Sequence, residues 1–322
     1  MVKWIKRILT VLVIVIAVAL AYVKLVLPNV GIAEDIKIEA TPEMIKRGEY
    51  LANHVCVCID CHSSRDWTKF SGPVITGTEG KGGEAFTQDL GFPGSFYSKN
   101  ITPAGIGDCT DGELLRAISC GVDKDGNALF PVMMYPYYRT MDKEDIISII
   151  AYIRTLKPIK NETKPADPDF PMNFIINTIP QKAAFTTIPL KENVIDYGKY
   201  LVNAAACGEC HTNVIKGKSV AGMEFAGGRE FNLPGPKKIV SANITPDKET
   251  GIGYWTEESF VNKFKMFEDK ATLQDYKLPK DNQTVMPWNM YAGMDTSDLR
   301  AIYAYLKTLK AINNKVVTNP TN

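Results

Sequence analysis

Histidine is scarce: 322 residues contain only His54, His62 and His211. A metal centre that needs many imidazoles is therefore excluded. Net charge is also nearly absent, with 37 basic against 36 acidic residues and a formal +1. No basic excess exists to hold a phosphate backbone, so a nucleic-acid partner is not expected. Seven cysteines are too few for a disulfide scaffold in a chain of this length. None of them follows the first apolar run, where a lipoprotein anchor would need one.

That first run is the only targeting signal. Ile8 to Leu27 is broken only by Thr10 and Lys24, and Lys3, Lys6 and Arg7 precede it. A membrane span takes roughly 20 apolar residues, and the basic flank favours a cytoplasmic N-terminus. A cleaved signal peptide is the alternative, since Ala19-Leu20-Ala21 resembles a cleavage site. Leu25, Val26 and Leu27 carry the apolar run past Lys24, which favours a retained anchor. On either reading the chain beyond Pro28 is exported.

The exported part repeats itself. Gly48-Glu49-Tyr50-Leu51-Ala52-Asn53 returns as Gly198-Lys199-Tyr200-Leu201-Val202-Asn203. Asn100-Ile101-Thr102-Pro103 returns as Asn243-Ile244-Thr245-Pro246, and Gly105-Ile106-Gly107 as Gly251-Ile252-Gly253. A shift of 153 aligns Met133–Lys157 with Met286–Lys310, and 11 of those 25 positions are identical. Four blocks in the same order describe a duplicated unit.

Each unit reads as small and all-α. Thr41-Pro42 offers an N-cap with proline at the first helical position. Thr110 and Glu113 have capping-box spacing. A last helix starts at Asp142 with Ile146, Ile149, Ile150 and Ile153 on one face. Its counterpart starts at Asp295 with Leu299, Ile302, Tyr303 and Leu306. The expected boundaries are residues 1–27 for the anchor and 28–40 for a linker. Domains follow at 41–158 and 193–313, joined by 159–192, with a tail at 314–322. Phe174-Ile175-Ile176 gives the joining segment an apolar patch, so it is expected to pack rather than swing.

Each unit also carries Cys-x-x-Cys-His: Cys58-Ile59-Asp60-Cys61-His62 and Cys207-Gly208-Glu209-Cys210-His211. At this spacing two thiols add across the two vinyl groups of one haem, and the next residue turns its imidazole to the iron. Two covalent haems c are expected, held by Cys58, Cys61, Cys207 and Cys210, with His62 and His211 as proximal ligands. A redox dithiol or a zinc site would use the same residue types, but neither explains two copies in matched repeats of an exported chain. With one histidine left, bis-histidine ligation of both irons is impossible, and methionine is the other usual partner. Met133 and Met286 recur, 71 and 75 residues beyond their histidines, and are the expected sixth ligands. Met141 and Met294 precede the caps Asp142 and Asp295, where stapling to Ile146 and Leu299 explains them without iron. Met134 and Met290 align with Pro287 and Tyr137, so neither recurs.

Cys56, Cys109 and Cys120 are left over. If residues 110–119 are helical, Cys109 and Cys120 stand about 16 Å apart at 1.5 Å per residue, too far to bond. A disulfide would have to use Cys56; three free thiols are the alternative. His54 reads as a structural helix residue.

Met286-Pro287-Trp288 with Tyr291 and Met294, Ala304-Tyr305-Leu306, the Asn-Ile-Thr-Pro and Gly-Ile-Gly blocks and the Gly-x-Tyr-Leu approach resemble the cytochrome c subunits of membrane-bound alcohol, gluconate and aldehyde dehydrogenases over residues 40–313. The resemblance implies two tandem class I cytochrome c domains with His/Met ligation. It implies electron flow from a donor dehydrogenase or quinol-oxidising complex to an acceptor cytochrome, a quinone or a terminal oxidase. That family commonly carries three haems, whereas this chain has motifs for two. The expected location is the periplasmic face of a bacterial inner membrane, with a single-pass helix as anchor. No catalytic residue is expected. The competing readings are a dihaem peroxidase or thiosulfate dehydrogenase, for which Cys56 is the only unusual ligand on offer, and a gas sensor.

Overall fold

The computed structural model describes residues 2–215, 217–233, 238–268 and 283–319. Of the expected tail, residues 320–322 lie outside that range. Helix α1 (Val2–Leu25) has a mean hydropathy of 2.7 in its most apolar window and buries none of its residues in the protein. Its 24 residues rise about 36 Å at 1.5 Å each, enough to cross a hydrocarbon core of roughly 30 Å. The apolar patch of the joining segment sits at its far end. Asn177 Nδ2 donates to the Val23 carbonyl at 3.3 Å, and Lys24 Nζ lies 5.3 Å from the Phe174 ring centre. That segment also binds the first half, where Ala184 N–H donates to Arg139 O and Ile188 N–H to Asp142 Oδ2. As expected, it packs.

The first half starts with α2 (Pro42–Tyr50), whose first turn is fixed by Thr41: its Oγ1 accepts the Met44 N–H at 3.3 Å. A single π-turn, Leu51–Val55, follows, closed by Cys56 N–H to Leu51 O at 2.7 Å. Asn53 stands five residues before Cys58, but Asn203 only four before Cys207. The wide turn absorbs the extra residue without disturbing what comes next, which is the usual origin of a π-bulge. The one-turn α3 (Cys58–Cys61) then carries the first haem motif. Helix α4 (Asp111–Cys120) has the complete Thr110–Glu113 capping box, and α5 (Lys143–Ile153) starts where Asp142 accepts the Glu144 N–H.

The second half repeats the plan with α6 (Val194–Ala204), α7 (Cys207–His211), α8 (Glu257–Lys265) and α9 (Thr296–Leu306). Helix α2 crosses α5 just as α6 crosses α9. The crossings explain the repeated glycine: a Cβ on Gly48 would strike the Ser148 carbonyl, and one on Gly198 the Ala301 carbonyl. Helices carry the scaffold, as expected for an all-α fold, but the loops depart from it with short antiparallel strands. Ala85–Phe86, Gly94–Tyr97 and Asp167–Pro168 form one small sheet, Val214–Ile215 pairs Lys218–Ser219, and Glu230–Asn232 pairs Lys238–Val240. Long loops must satisfy their backbone N–H and C=O groups somewhere, and pairing with a neighbouring stretch does so without a helix.

The two halves are interlocked. One apolar cluster runs through both, from Leu51, Val55, Ile146 and Ile150 to Leu201, Leu299, Ile302 and Leu306. Two tyrosines reach across it reciprocally. Tyr50 donates to Asp298 Oδ2 at 2.8 Å and accepts the Asp295 N–H at 3.0 Å. Tyr200 donates to Asp145 Oδ2 at 2.6 Å and accepts the Asp142 N–H at 3.2 Å. Burial, then the facing carboxylates, push both phenols well above the usual tyrosine range, so each stays a neutral donor. Asp145 also has Arg47 in a two-pronged pair at 2.8 and 2.7 Å, whereas Asp298 has Tyr197 at 3.2 Å and the more distant Lys191 at 3.5 Å. Removing a donor from a buried carboxylate costs about 1–3 kcal/mol. Tyr50→Phe should therefore destabilise more than Tyr200→Phe, because Asp298 has no arginine to fall back on. Urea unfolding of the two variants checks this, and equal or negligible losses would contradict it.

Candidate haem-attachment sites

Both motifs begin with the same backbone feature. Val57 and Ala206, the residues just before Cys58 and Cys207, are left-handed at φ +48° and +49°. Non-glycine residues rarely adopt this conformation, least of all β-branched ones. It turns the chain sharply out of α2 and α6 and into the one-turn helices α3 and α7. A tyrosine braces each turn from the other side: Tyr138 donates to Cys56 O at 3.0 Å, and Tyr291 to Ala205 O at 3.1 Å.

The imidazoles are oriented identically. His62 Nδ1 lies 2.7 Å from Lys99 O, and His211 Nδ1 lies 2.8 Å from Ala242 O. A carbonyl can only accept, so Nδ1 carries the proton in each ring and Nε2 keeps its lone pair. Burial lowers the pKa of both rings, only partly opposed by the bond to the carbonyl. Both are neutral at pH 7, which is the form that ligates a metal.

Those carbonyls belong to the residues just before the repeated Asn-Ile-Thr-Pro blocks, and the blocks have a mechanical role. Asn100 Oδ1 accepts from Thr102 N–H at 3.0 Å and Thr102 Oγ1 at 2.7 Å, while its Nδ2 donates to Ile159 O at 2.8 Å. Asn243 does the same with Thr245 at 2.9 and 2.7 Å and with Ile312 O at 2.8 Å. Each block thus pins the loop that holds its histidine to the irregular segment that follows the last helix of its half. Sequence reading found the blocks but not this purpose. It missed Gly82 and Gly227 entirely. Their N–H groups donate to His62 O and His211 O at 2.8 and 2.7 Å, their φ values are +71° and +72°, and a Cβ on either would collide with the histidine-holding loop. The doubled glycines at 82–83 and 227–228 were the available signal.

The thiols are not activated. Burial, the largest cause in each case, pushes Cys58, Cys61 and Cys207 up to about 12 and Cys210 up to about 11. A redox dithiol needs a thiolate near neutral pH, and these four are thiols there. The second motif meets the first half through Tyr137, which donates to Glu209 Oε2 at 3.1 Å. Each motif also presents an acid to an arginine, Asp60 to Arg65 at 2.8 Å and Glu209 to Arg229. Sequence reading missed both pairs, because the arginines stand at unrelated spacings. Among the described residues no group of three or more His, Cys, Asp or Glu side chains converges.

Met133 and Met286 are half-buried in the segments leading to α5 and α9, whereas Met141 and Met294 are fully buried in the shared core. Met134, which does not recur, is half-buried like Met133. All seven cysteines are free thiols. Cys56 lies in the core with its Sγ 3.9 Å from Met141 Sδ, and burial raises it well above the usual thiol range. His54 bonds through Nδ1 to Met290 O at 2.8 Å, a structural link between the halves. These residues fit haem c: two thiols, an oriented lone pair and a recurring thioether, twice over.

No family model matches the chain. The alcohol dehydrogenase (quinone) cytochrome c subunit of Gluconobacter oxydans (strain 621H) is 28% identical over 290 residues, which is 85% of this chain and 56% of that protein. The gluconate 2-dehydrogenase cytochrome c subunit of Pantoea cypripedii is 28% identical over 303 residues, 89% of this chain and 64% of that protein. A diheme cytochrome c-type protein of Cereibacter sphaeroides is 28% identical over 269 residues, 79% of this chain and 82% of that protein. The chain's homologues are thus cytochrome c subunits of dehydrogenases and a dihaem cytochrome c, and the chain spans roughly six-tenths of the first two.

The braces can be tested without any cofactor. Asn100→Ala and Asn243→Ala should each lower the unfolding free energy by about 1–3 kcal/mol, because buried Thr102 or Thr245 and a carbonyl lose their partner. Asn100→Asp, which replaces the amide that donates to Ile159 O with an acceptor, should lose at least as much. Calorimetry showing Ala and Asp equally harmless would contradict the bracing role.

Proposed function

We propose that this homologue of dehydrogenase cytochrome subunits is a membrane-anchored dihaem electron relay. Residues 41–158 and 193–313 would each form one cytochrome c domain. The observation that carries the reading is the doubled histidine geometry, in which one ring nitrogen is tied to a backbone carbonyl and the other is free to ligate.

When bound, a haem supplies an iron that takes up and releases one electron by cycling between its ferric and ferrous states. The chain's own residues do the rest. Cys58 with Cys61, and Cys207 with Cys210, would hold each haem covalently, so that it could not dissociate. His62 and His211 ligate through Nε2, and the bond at Nδ1 raises their basicity. Met133 and Met286 would supply the remaining ligands, and a thioether ligand favours the reduced state and raises the potential. Irons so ligated would offer no open position to a substrate. The thiol of Cys56 is buried in the core beside Met141, which favours a structural role over that of an iron ligand.

Helix α1 would hold the relay at a bacterial inner membrane, and the basic residues before it support a periplasmic position for the haem domains. The donor would be a dehydrogenase or quinol-oxidising complex and the acceptor another cytochrome or a terminal oxidase. A tether keeps such partners at high effective concentration, so no tight interface is needed.

The denatured protein should retain the mass of two haems. Met133→Ala and Met286→Ala should each abolish the methionine–iron absorption of one haem and lower its potential, whereas Met141→Leu and Met294→Leu should leave both bands in place. One haem, or the opposite pattern among the methionines, would refute the assignment. The reduced protein should bind carbon monoxide poorly and show no peroxide or thiosulfate turnover. Turnover at about 1–1,000 per second, the range of ordinary enzymes, would instead make it a haem enzyme.

A further inference from the structure

The segment that carries Met286 is held by the other half. Ser71, fully buried, donates from Oγ to Met286 O at 2.6 Å and accepts the Trp288 N–H at 3.0 Å. Asn289 Oδ1 lies 3.2 Å from the same hydroxyl, a second acceptor for its proton. Ser71 N–H in turn donates to Gln283 Oε1 at 2.8 Å, and Gln283 Nε2 donates back to Trp67 O and Lys69 O at 3.0 and 2.7 Å. Phe70 stacks on Phe267 at 5.2 Å, and Phe267 packs against Trp288 at 5.4 Å. Ser71 makes these bonds from a left-handed conformation, φ +65°, which a non-glycine residue adopts only when its surroundings enforce it.

The arrangement is one-sided. From His62 to Gly82 the first half uses 20 residues, whereas His211 to Gly227 takes 16, and the longer loop is the one that grips. Among the described residues Met133 has backbone bonds only within its own half, from its N–H to Phe130 O and from Tyr135 N–H to its carbonyl. The gripping loop is itself anchored to the first haem motif. Arg65 pairs with Asp60 at 2.8 Å, and its guanidinium lies 4.2 Å from the Trp67 ring centre.

We propose that Ser71 is a positioning residue for Met286: a hydroxyl in the first half sets the methionine that closes the second iron. The proposal rests on Met286 being that ligand. The grip fixes the backbone on both sides of the Met286 side chain, so the thioether is presented in one place rather than searching for it. Without the hydroxyl, the Met286 carbonyl and the Trp288 N–H lose a buried partner, and the methionine should swing away more often.

The test uses the holoprotein in a Met133→Ala background, where the methionine–iron band that is left belongs to the second haem. Adding Ser71→Ala should weaken that band and make carbon monoxide bind the second ferrous haem about tenfold more readily, the factor that one lost hydrogen bond of ordinary strength represents. The Trp288 amide should exchange with solvent faster in the same protein. In a Met286→Ala background, Ser71→Ala should leave the first haem's band in place. Ser71→Gly, which removes the hydroxyl and tolerates the left-handed conformation, should reproduce every effect and covers the case in which the alanine variant does not fold. An unchanged second-haem band in either folded variant overturns the positioning role. A second-haem band that survives Met286→Ala overturns the ligand assignment instead, so the two failures are distinguishable.

Discussion

A neutral imidazole offers a lone pair at Nε2 only when its proton is kept at Nδ1, and a backbone carbonyl keeps it there most simply because it can do nothing but accept. Much of each half serves to put that carbonyl in place. Lys99 and Ala242 must lie within 2.7–2.8 Å of the ring. Asn100 and Asn243 pin the loops that carry them to the segments leaving α5 and α9. Gly82 and Gly227 let those loops approach where any side chain would collide. The left-handed Val57 and Ala206 swing the histidine-bearing turns to meet them. The repeated blocks are repeated because the same imidazole has to be held twice.

The second constraint is that the halves are bound together by buried polar groups as well as by apolar contact. Tyr50 and Tyr200 each cross to a carboxylate of the opposite half, and Ser71 crosses to the Met286 segment. A buried carboxylate or hydroxyl tolerates little displacement of its partner, so these contacts fix register where an apolar interface alone could slide. Tyr137 adds a further crossing, donating to Glu209 Oε2 of the second motif at 3.1 Å. The relation between the two attachment sites is therefore part of the fold rather than a property of a linker.

Local signals in the sequence foretold much of this. Thr41, Thr110 and Asp142 announce helix starts through oxygens placed to accept N–H groups two or three residues on, and all three do so. The burial of Met141 and Met294 followed from their place before the caps. What the residues could not reveal depends on distance in space. The Arg65 and Arg229 partners sit at different spacings from their motifs, so no repeat advertises them. The π-turn at Leu51–Val55 hides as a one-residue difference in interval. Short strands in the loops arise from backbone satisfaction between stretches whose side chains carry no alternation. Ser71 looks like any loop serine until the second half is folded against it.

If both sites hold haem and the halves are locked as described, electrons should cross between the two irons without any motion of the protein. The direct measurement is flash photoreduction of the oxidised holoprotein, following redistribution of the electron between the haems while solvent viscosity and protein concentration are varied. The account predicts a single internal phase that responds to neither. A redistribution rate that falls as viscosity rises would show that the halves must swing together before transfer, and would contradict a fixed relay.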